Sequence, residues 1–227
     1  WYPLGREAGA TAHPGLMITA TVAYKLVRAV GIDASLKDVC ALIAPWFASN
    51  AAMVMFFLGR EVKDTGTGLM AAFMLAIVPG YIQRSVAGAY DNEAVVVFAM
   101  LLTFTLFIKA VKTGSLLWSL SSALAYLYMA ASWGGFVYAE GLIPLYAMIM
   151  IASGRHSPRL HIAFSVFYVV GTGMAVQVPF IGARHVGSSE HAAALFVFLL
   201  VQGAQLLAWA GPRLPASGIV KVALGGG

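Results

Sequence analysis

Apolar residues fall in blocks along this chain, separated by short interruptions that carry charge, glycine or proline. A bilayer core requires about 20 apolar residues per helix, with a range of about 17–25. Seven blocks meet that need approximately, at residues 44–58, 68–82, 94–110, 116–131, 136–151, 160–181 and 192–210. The connectors are short, which predicts that consecutive helices pack as antiparallel neighbours. An earlier block, residues 15–30, is short and carries Lys25 and Arg28 after a break at His13-Pro14-Gly15. It reads as an amphipathic helix lying at the membrane interface, or as a tilted span with snorkelling cations. The pattern predicts an all-α, polytopic transmembrane bundle of about seven spans preceded by an interfacial helix. Residues 1–43 form a loop bearing that helix, residues 44–211 the membrane domain, and residues 212–227 a frayed or artificial tail with Pro212, Pro215 and a terminal triple glycine.

Composition strengthens this picture. Hydrophobic residues make up 60% of the 227 and charged residues 10%, against about 45–50% and about 25% in soluble domains. Mean hydropathy is +0.84. A soluble globule of this size has too much surface to hide so many apolar side chains. Disorder, collagen and disulfide scaffolds are excluded too; Cys40 is the single cysteine. Trp1, in place of an initiator Met, reads as the middle of a longer chain, and no signal peptide opens it.

The net charge of +5 reflects a positive-inside bias rather than nucleic-acid binding, because the basic residues lie between apolar blocks and not on one face. One membrane side receives Arg60, Lys63, Lys109, Lys112, Arg155, Arg159, Arg213 and Lys221 against Glu61 and Asp64. The other receives Asp33, Asp38, Asp91, Glu93 and Glu190, with Arg84 and Arg184. The first side is expected to be cytoplasmic, and the acid-bearing side is where chemistry is expected.

The segment Arg84-Ser85-Val86-Ala87-Gly88-Ala89-Tyr90-Asp91-Asn92-Glu93 links two apolar blocks on that side. Two residues apart, Asp91 and Glu93 diverge in mid-helix but can converge at a helix start. They read either as a cap and a first-turn acid, or as two hard oxygen ligands for a divalent metal, with Arg84 beside them for a phosphate. His13, His185 and His191 are scattered without metal-ligand spacing and read as surface or interfacial. Glu140 lies inside an expected span, where it either stays wet near the interface or meets a lined cavity or a partner helix. Ser188-Ser189-Glu190-His191 reads as a helix cap. Trp133-Gly134-Gly135 is a turn whose glycines permit close approach by a helix or a ligand.

Over roughly residues 1–205 the sequence resembles the catalytic subunit of eukaryotic oligosaccharyltransferase, which transfers oligosaccharide from dolichyl pyrophosphate to Asn of Asn-x-Ser/Thr. The likeness rests on Trp1-Tyr2-Pro3-Leu4-Gly5-Arg6, Pro14-Gly15-Leu16-Met17, Ile77-Val78-Pro79-Gly80-Tyr81, the 84–93 segment, Ser132-Trp133-Gly134-Gly135 and Ser188-Ser189-Glu190-His191. It implies a glycosyltransferase of the GT-C type in the endoplasmic reticulum membrane, with the acidic loop lumenal. It also implies that Asp91 and Glu93 bind Mn²⁺ or Mg²⁺, that Arg84 is catalytic beside them, and that Trp133, Gly134 and Gly135 contact the lipid-linked donor. Partners so implied are the dolichyl-pyrophosphate donor, an acceptor polypeptide, the bilayer and other transferase subunits. A first acidic motif is expected before Trp1, and a later glutamate and a Trp-Trp-Asp motif beyond Gly227, so the segment alone is expected to be inactive. Alternatives are another membrane glycosyltransferase using a lipid-phosphate sugar, a transporter, or a scaffold subunit.

Overall fold

The computed structural model describes residues 4, 5 and 11–210; the expected tail at 212–227 and most of the 1–6 motif lie outside them. The described residues are helical, with no strand. The helices are α1 (Gly15–Ala29), α2 (Leu36–Val62), α3 (Thr65–Ile77), α4 (Pro79–Ser85), α5 (Asn92–Thr113), α6 (Leu116–Ser132), α7 (Val137–Ala152), α8 (Pro158–Ala175) and α9 (Ser189–Ala210). Two 3₁₀ turns, Gly134–Phe136 and Ala183–Gly187, precede α7 and α9.

Local sequence sets the helix ends. Ser35 and Asp38 form a reciprocal capping box that starts α2, earlier than the apolar block at 44. Asp64 caps α3 by accepting from the Thr67 N–H at 2.7 Å, and Ser157 caps α8, whose first residue is Pro158. Gly114 closes α5 at φ 70°, a left-handed conformation that glycine adopts without strain. The Ser188 hydroxyl accepts from the His191 N–H at 3.2 Å, so the expected cap is present.

Among the described residues, four helical segments are long and apolar enough to cross a membrane: Leu36–Val62, Asn92–Thr113, Gly134–Ala152 and Ser189–Ala210. The block expected as one span at 68–82 is instead two helices, α3 and α4, bent by 62°. Pro79 lacks an N–H and forces Val78 into extended backbone (φ −66°, ψ 121°), which ends α3. Counting that pair gives up to five spans by length and composition; α6 is apolar but shorter. The block expected at 160–181 stops as a helix at Ala175. Helix α1, with 15 residues, is about 22 Å long, less than a bilayer core.

Packing departs from chain order repeatedly: α2 lies along α5, and α5 also meets α8. Helices α7 and α8 scarcely touch; α8 packs on α6, and α9 packs on α7. The main core lies among α5–α9 and includes Phe107, Tyr126, Met129, Ile143, Phe164 and Phe167. Small residues bring backbones close, as membrane interfaces require. A Cβ on Gly59 of α2 would lie 2.7 Å from Gly68 Cα of α3. The buried Ser122 hydroxyl of α6 donates to the Thr103 carbonyl of α5 at 3.1 Å. Leucine, methionine and phenylalanine side chains stay exposed on the outside, including Leu69, Met70 and Phe73 on α3; hydrocarbon is a good solvent for them.

The two ends of the bundle differ. At one, the Lys112 ammonium meets the Glu61 carboxylate and carbonyl, and Arg159 donates to the Lys112 carbonyl at 2.9 Å. These join the ends of α2 and α5 to the start of α8, collecting residues of the basic set. The opposite end carries the starts of α2, α5, α7 and α9 and all the candidate chemistry.

Candidate functional site

Three groupings occupy that end. The first is the loop between α4 and α5. Gly88, at φ +90°, donates its N–H to the Ala41 carbonyl at 2.8 Å, pinning the loop to α2. Tyr81 of α4 donates from its hydroxyl to the Ala94 carbonyl at 3.2 Å, tying α4 to the start of α5. Asp91 is the N-cap of α5, its carboxylate accepting from the Asn92 N–H at 2.7 Å, and Glu93 lies in the first turn. The two carboxylates converge on one guanidinium: Arg84 Nη1 is 3.1 Å from Asp91 Oδ2, and Arg84 Nε is 3.1 Å from Glu93 Oε2. All three side chains are open to solvent, at 51%, 44% and 38% exposure respectively. Two convergent hard oxygen donors suit a divalent cation of the Mg²⁺ or Mn²⁺ type but fill only part of its six-fold sphere. The remaining ligands must come from elsewhere. Arg84 presents positive charge to any phosphate reaching the loop.

The second grouping is the turn after α6. Trp133 follows α6 in extended backbone, and its ring is partly exposed. Its own ring covers Gly135 so closely that a Cβ there would overlap the indole. At Gly135 the close approach within the chain is made by the Trp133 indole. His13 donates from Nδ1 to the Ala130 carbonyl at 2.9 Å and lies against Phe180, ring centroids 4.5 Å apart. Burial lowers the His13 pKa below the ordinary histidine value. His13, Gly134, Phe136, Ile181, Arg184 and His185 line a cavity of about 280 Å³.

The third grouping was not legible in the sequence. Glu140, at the start of α7, is 4% exposed. His185 Nε2, from the second 3₁₀ turn, is 2.6 Å from Glu140 Oε2, and His191 Nδ1, from the start of α9, is 2.9 Å from Oε1. His191 is also 4% exposed, and its Nε2 is 3.1 Å from the Tyr168 hydroxyl. The expectation that His185 and His191 are scattered surface or interfacial residues is thus corrected, and Glu140 is not a wet interfacial carboxylate. Separations of 45 and 51 residues leave no motif; the unexplained carboxylate inside an apolar block was the available signal.

The family model for oligosaccharyl transferase STT3, N-terminal, matches residues 1–211. The chain belongs to the STT3 family. It is 52% identical over 209 residues to the Arabidopsis thaliana dolichyl-diphosphooligosaccharide–protein glycosyltransferase subunit STT3B, covering 92% of this chain and 28% of that subunit. It is 48% identical over 222 residues to the Dictyostelium discoideum subunit STT3, covering 98% and 31% respectively. The chain therefore spans about three-tenths of the curated STT3 relatives it matches. Among solved structures, the Archaeoglobus fulgidus oligosaccharyltransferase in complex with Zn and sulfate superposes with a TM-score of 0.73 at 19% identity, over 94% of this chain and 28% of that one. The same enzyme with an inhibitory peptide and a dolichol-phosphate gives 0.72 at 17% identity, over 93% and 28%. These share the fold of this chain. The resemblance drawn from the 84–93 segment and its companions is borne out at the level of family.

Proposed function

We propose that this chain is the N-terminal membrane part of an oligosaccharyltransferase catalytic subunit. The whole protein then transfers oligosaccharide from a dolichyl-pyrophosphate donor to Asn of Asn-x-Ser/Thr in an acceptor polypeptide. The observation that carries the reading is the Arg84 guanidinium gripped by Asp91 and Glu93 at 3.1 Å each, in a chain about half identical to STT3 subunits along nearly its full length. The loop faces the lumen of the endoplasmic reticulum, the Lys112 end faces the cytosol, and about seven segments cross the membrane once α6 and α8 are counted with the bent pair and the four long helices.

Transfer to an amide nitrogen is difficult because its lone pair is conjugated with the carbonyl, the same conjugation that gives a peptide bond its barrier of about 18–20 kcal/mol. Carboxylates that accept from the acceptor amide N–H groups weaken that conjugation. A Mn²⁺ or Mg²⁺ ion, when bound, supplies charge neutralisation at the pyrophosphate leaving group. Asp91 and Glu93 would hold such an ion through their carboxylates, and two residues alone would leave its coordination incomplete. Arg84 fixes the two acids and presents its guanidinium to the donor phosphates. Trp133, Gly134 and Gly135 form a donor-binding edge beside the cavity that Gly134 and Arg184 line. Attack opposite the leaving group inverts the anomeric carbon. Other transferase subunits pack on the exposed apolar faces.

The test is transfer of a lipid-linked oligosaccharide to an Asn-x-Thr peptide by the complete protein, titrated with Mn²⁺. Asn caps a helix about as well as Asp, so Asp91→Asn preserves the helix start while removing a charged ligand. Activity is expected to collapse and to recover in part at raised Mn²⁺. Wild-type activity with an unshifted metal requirement overturns the assignment.

A further inference from the structure

Glu140, His185 and His191 take no part in the reaction just proposed, yet they form the metal-ligand set found among the described residues. Each offers one ligand atom, and these atoms lie within 4.8 Å of one another. One carboxylate and two imidazoles are a mixed oxygen and nitrogen set, which suits zinc and its neighbours in the first transition row rather than Mg²⁺ or Ca²⁺.

Three further features point the same way. Glu140 is buried with two histidines for partners, and an imidazole supplies a countercharge only when protonated, whereas a divalent ion supplies one in every case. A carboxylate held in low dielectric without one is strongly disfavoured. Next, the outer nitrogen of His191 has a buried partner in Tyr168, whose hydroxyl is 3.1 Å from Nε2 and whose ring stacks on the imidazole at 5.6 Å. Such an outer partner fixes the tautomer and orientation of a ligating histidine. Lastly, His185 borders the cavity of about 280 Å³ that Arg184 also lines. A fourth, exchangeable ligand, water or an anion, has room there.

We propose that Glu140, His185 and His191 bind one zinc-class divalent ion, with its open coordination position toward that cavity. Without metal, His185 Nε2–H and His191 Nδ1–H donate to the carboxylate, and Tyr168 O–H donates to His191 Nε2. On binding, the His191 proton moves from Nδ1 to Nε2, and the Tyr168 hydroxyl turns to accept it. The His185 proton moves from Nε2 to Nδ1. Both rings stay neutral, so the proton count is unchanged, and both freed lone pairs face the ion. The ion then cross-links the starts of α7 and α9 through the turn between α8 and α9. This site is separate from the Asp91–Glu93 pair, and its occupancy does not depend on the reaction assigned to the protein.

The experiment uses the complete protein, stripped with chelator, carrying Asp91→Asn and Glu93→Gln throughout so that the exposed loop contributes no signal. Calorimetric titration with Zn²⁺, visible absorption of the Co²⁺ form and the thermal midpoint are read together. One equivalent per chain, tetrahedral Co²⁺ bands and a metal-raised midpoint are expected. Glu140→Gln and His185→Gln should abolish the bands. Tyr168→Phe, which keeps the ring in place, should retain them while lowering affinity about 10- to 100-fold. The absence of a saturable equivalent overturns the proposal, as does affinity that is unchanged in Glu140→Gln. Should Glu140→Gln not fold, unchanged affinity in both Tyr168→Phe and His185→Gln overturns it equally.

Discussion

The two acid-bearing groupings at one end of the bundle solve the same electrostatic problem in opposite ways. Arg84, Asp91 and Glu93 lie within ten residues on a loop and stay between 38% and 51% exposed. Water screens them, so their mutual attraction is worth about 1 kcal/mol or less, and the arginine can release its carboxylates to other partners. Glu140, His185 and His191 come from three separate elements and are nearly dry. There, each hydrogen bond counts fully, and loss of one partner strands the others. An exposed cluster is poised to exchange ligands; a buried one holds elements together and accepts a ligand only of fitting size and charge.

The largest effect expected of this contrast is on catalysis. Arg84→Met in the complete protein should reduce oligosaccharide transfer by about 100-fold or more, by analogy with removal of a single donor that stabilises developing charge. Its thermal midpoint should barely move. A large loss of stability would break the comparison, because it would make the exposed cluster structural. Glu140→Leu should behave in the converse manner. It leaves two buried imidazoles without their partner and should destabilise by about 2–5 kcal/mol, read as a lowered denaturant or thermal midpoint in detergent. Unchanged stability would return Glu140 to a bystander.

Gly135→Ala tests the turn between them. The added methyl meets the Trp133 ring, so the indole must swing away. A stability loss of about 1–3 kcal/mol is expected, read as a lowered thermal midpoint in detergent. The smallest effect concerns His13. Burial lowers its pKa, so the unfolded chain binds the proton more readily than the fold does. Its contribution is present above the ordinary histidine value and is lost as pH falls toward the lowered one. His13→Gln should flatten the dependence of thermal midpoint on pH in this window; an unchanged slope would assign it to other groups.

Much of the molecule was legible from residue order. All-helical membrane character followed from block lengths and scarcity of charge, because hydrocarbon leaves a chain few ways to satisfy its backbone. The convergence of Asp91 and Glu93 on Arg84 was accessible because all three lie on one local segment, where a helix start dictates direction. The caps at Asp64 and Ser188 were equally local. The break at Val78-Pro79 was also written in the chain, since proline restricts its predecessor, but uniform apolarity across 68–82 concealed it.

What the sequence by itself determined, then, was whatever depends on neighbours within a turn or two: helix type, helix ends and the exposed loop. Tertiary structure alone decided that α8 lies on α6 and α9 on α7, because side-chain fit rather than connector length selects partners in a close-packed interior. It alone brought Glu140 to His185 and His191 across 45 and 51 residues. A buried charge takes its partners from whichever elements packing brings beside it, and that choice has no local signature.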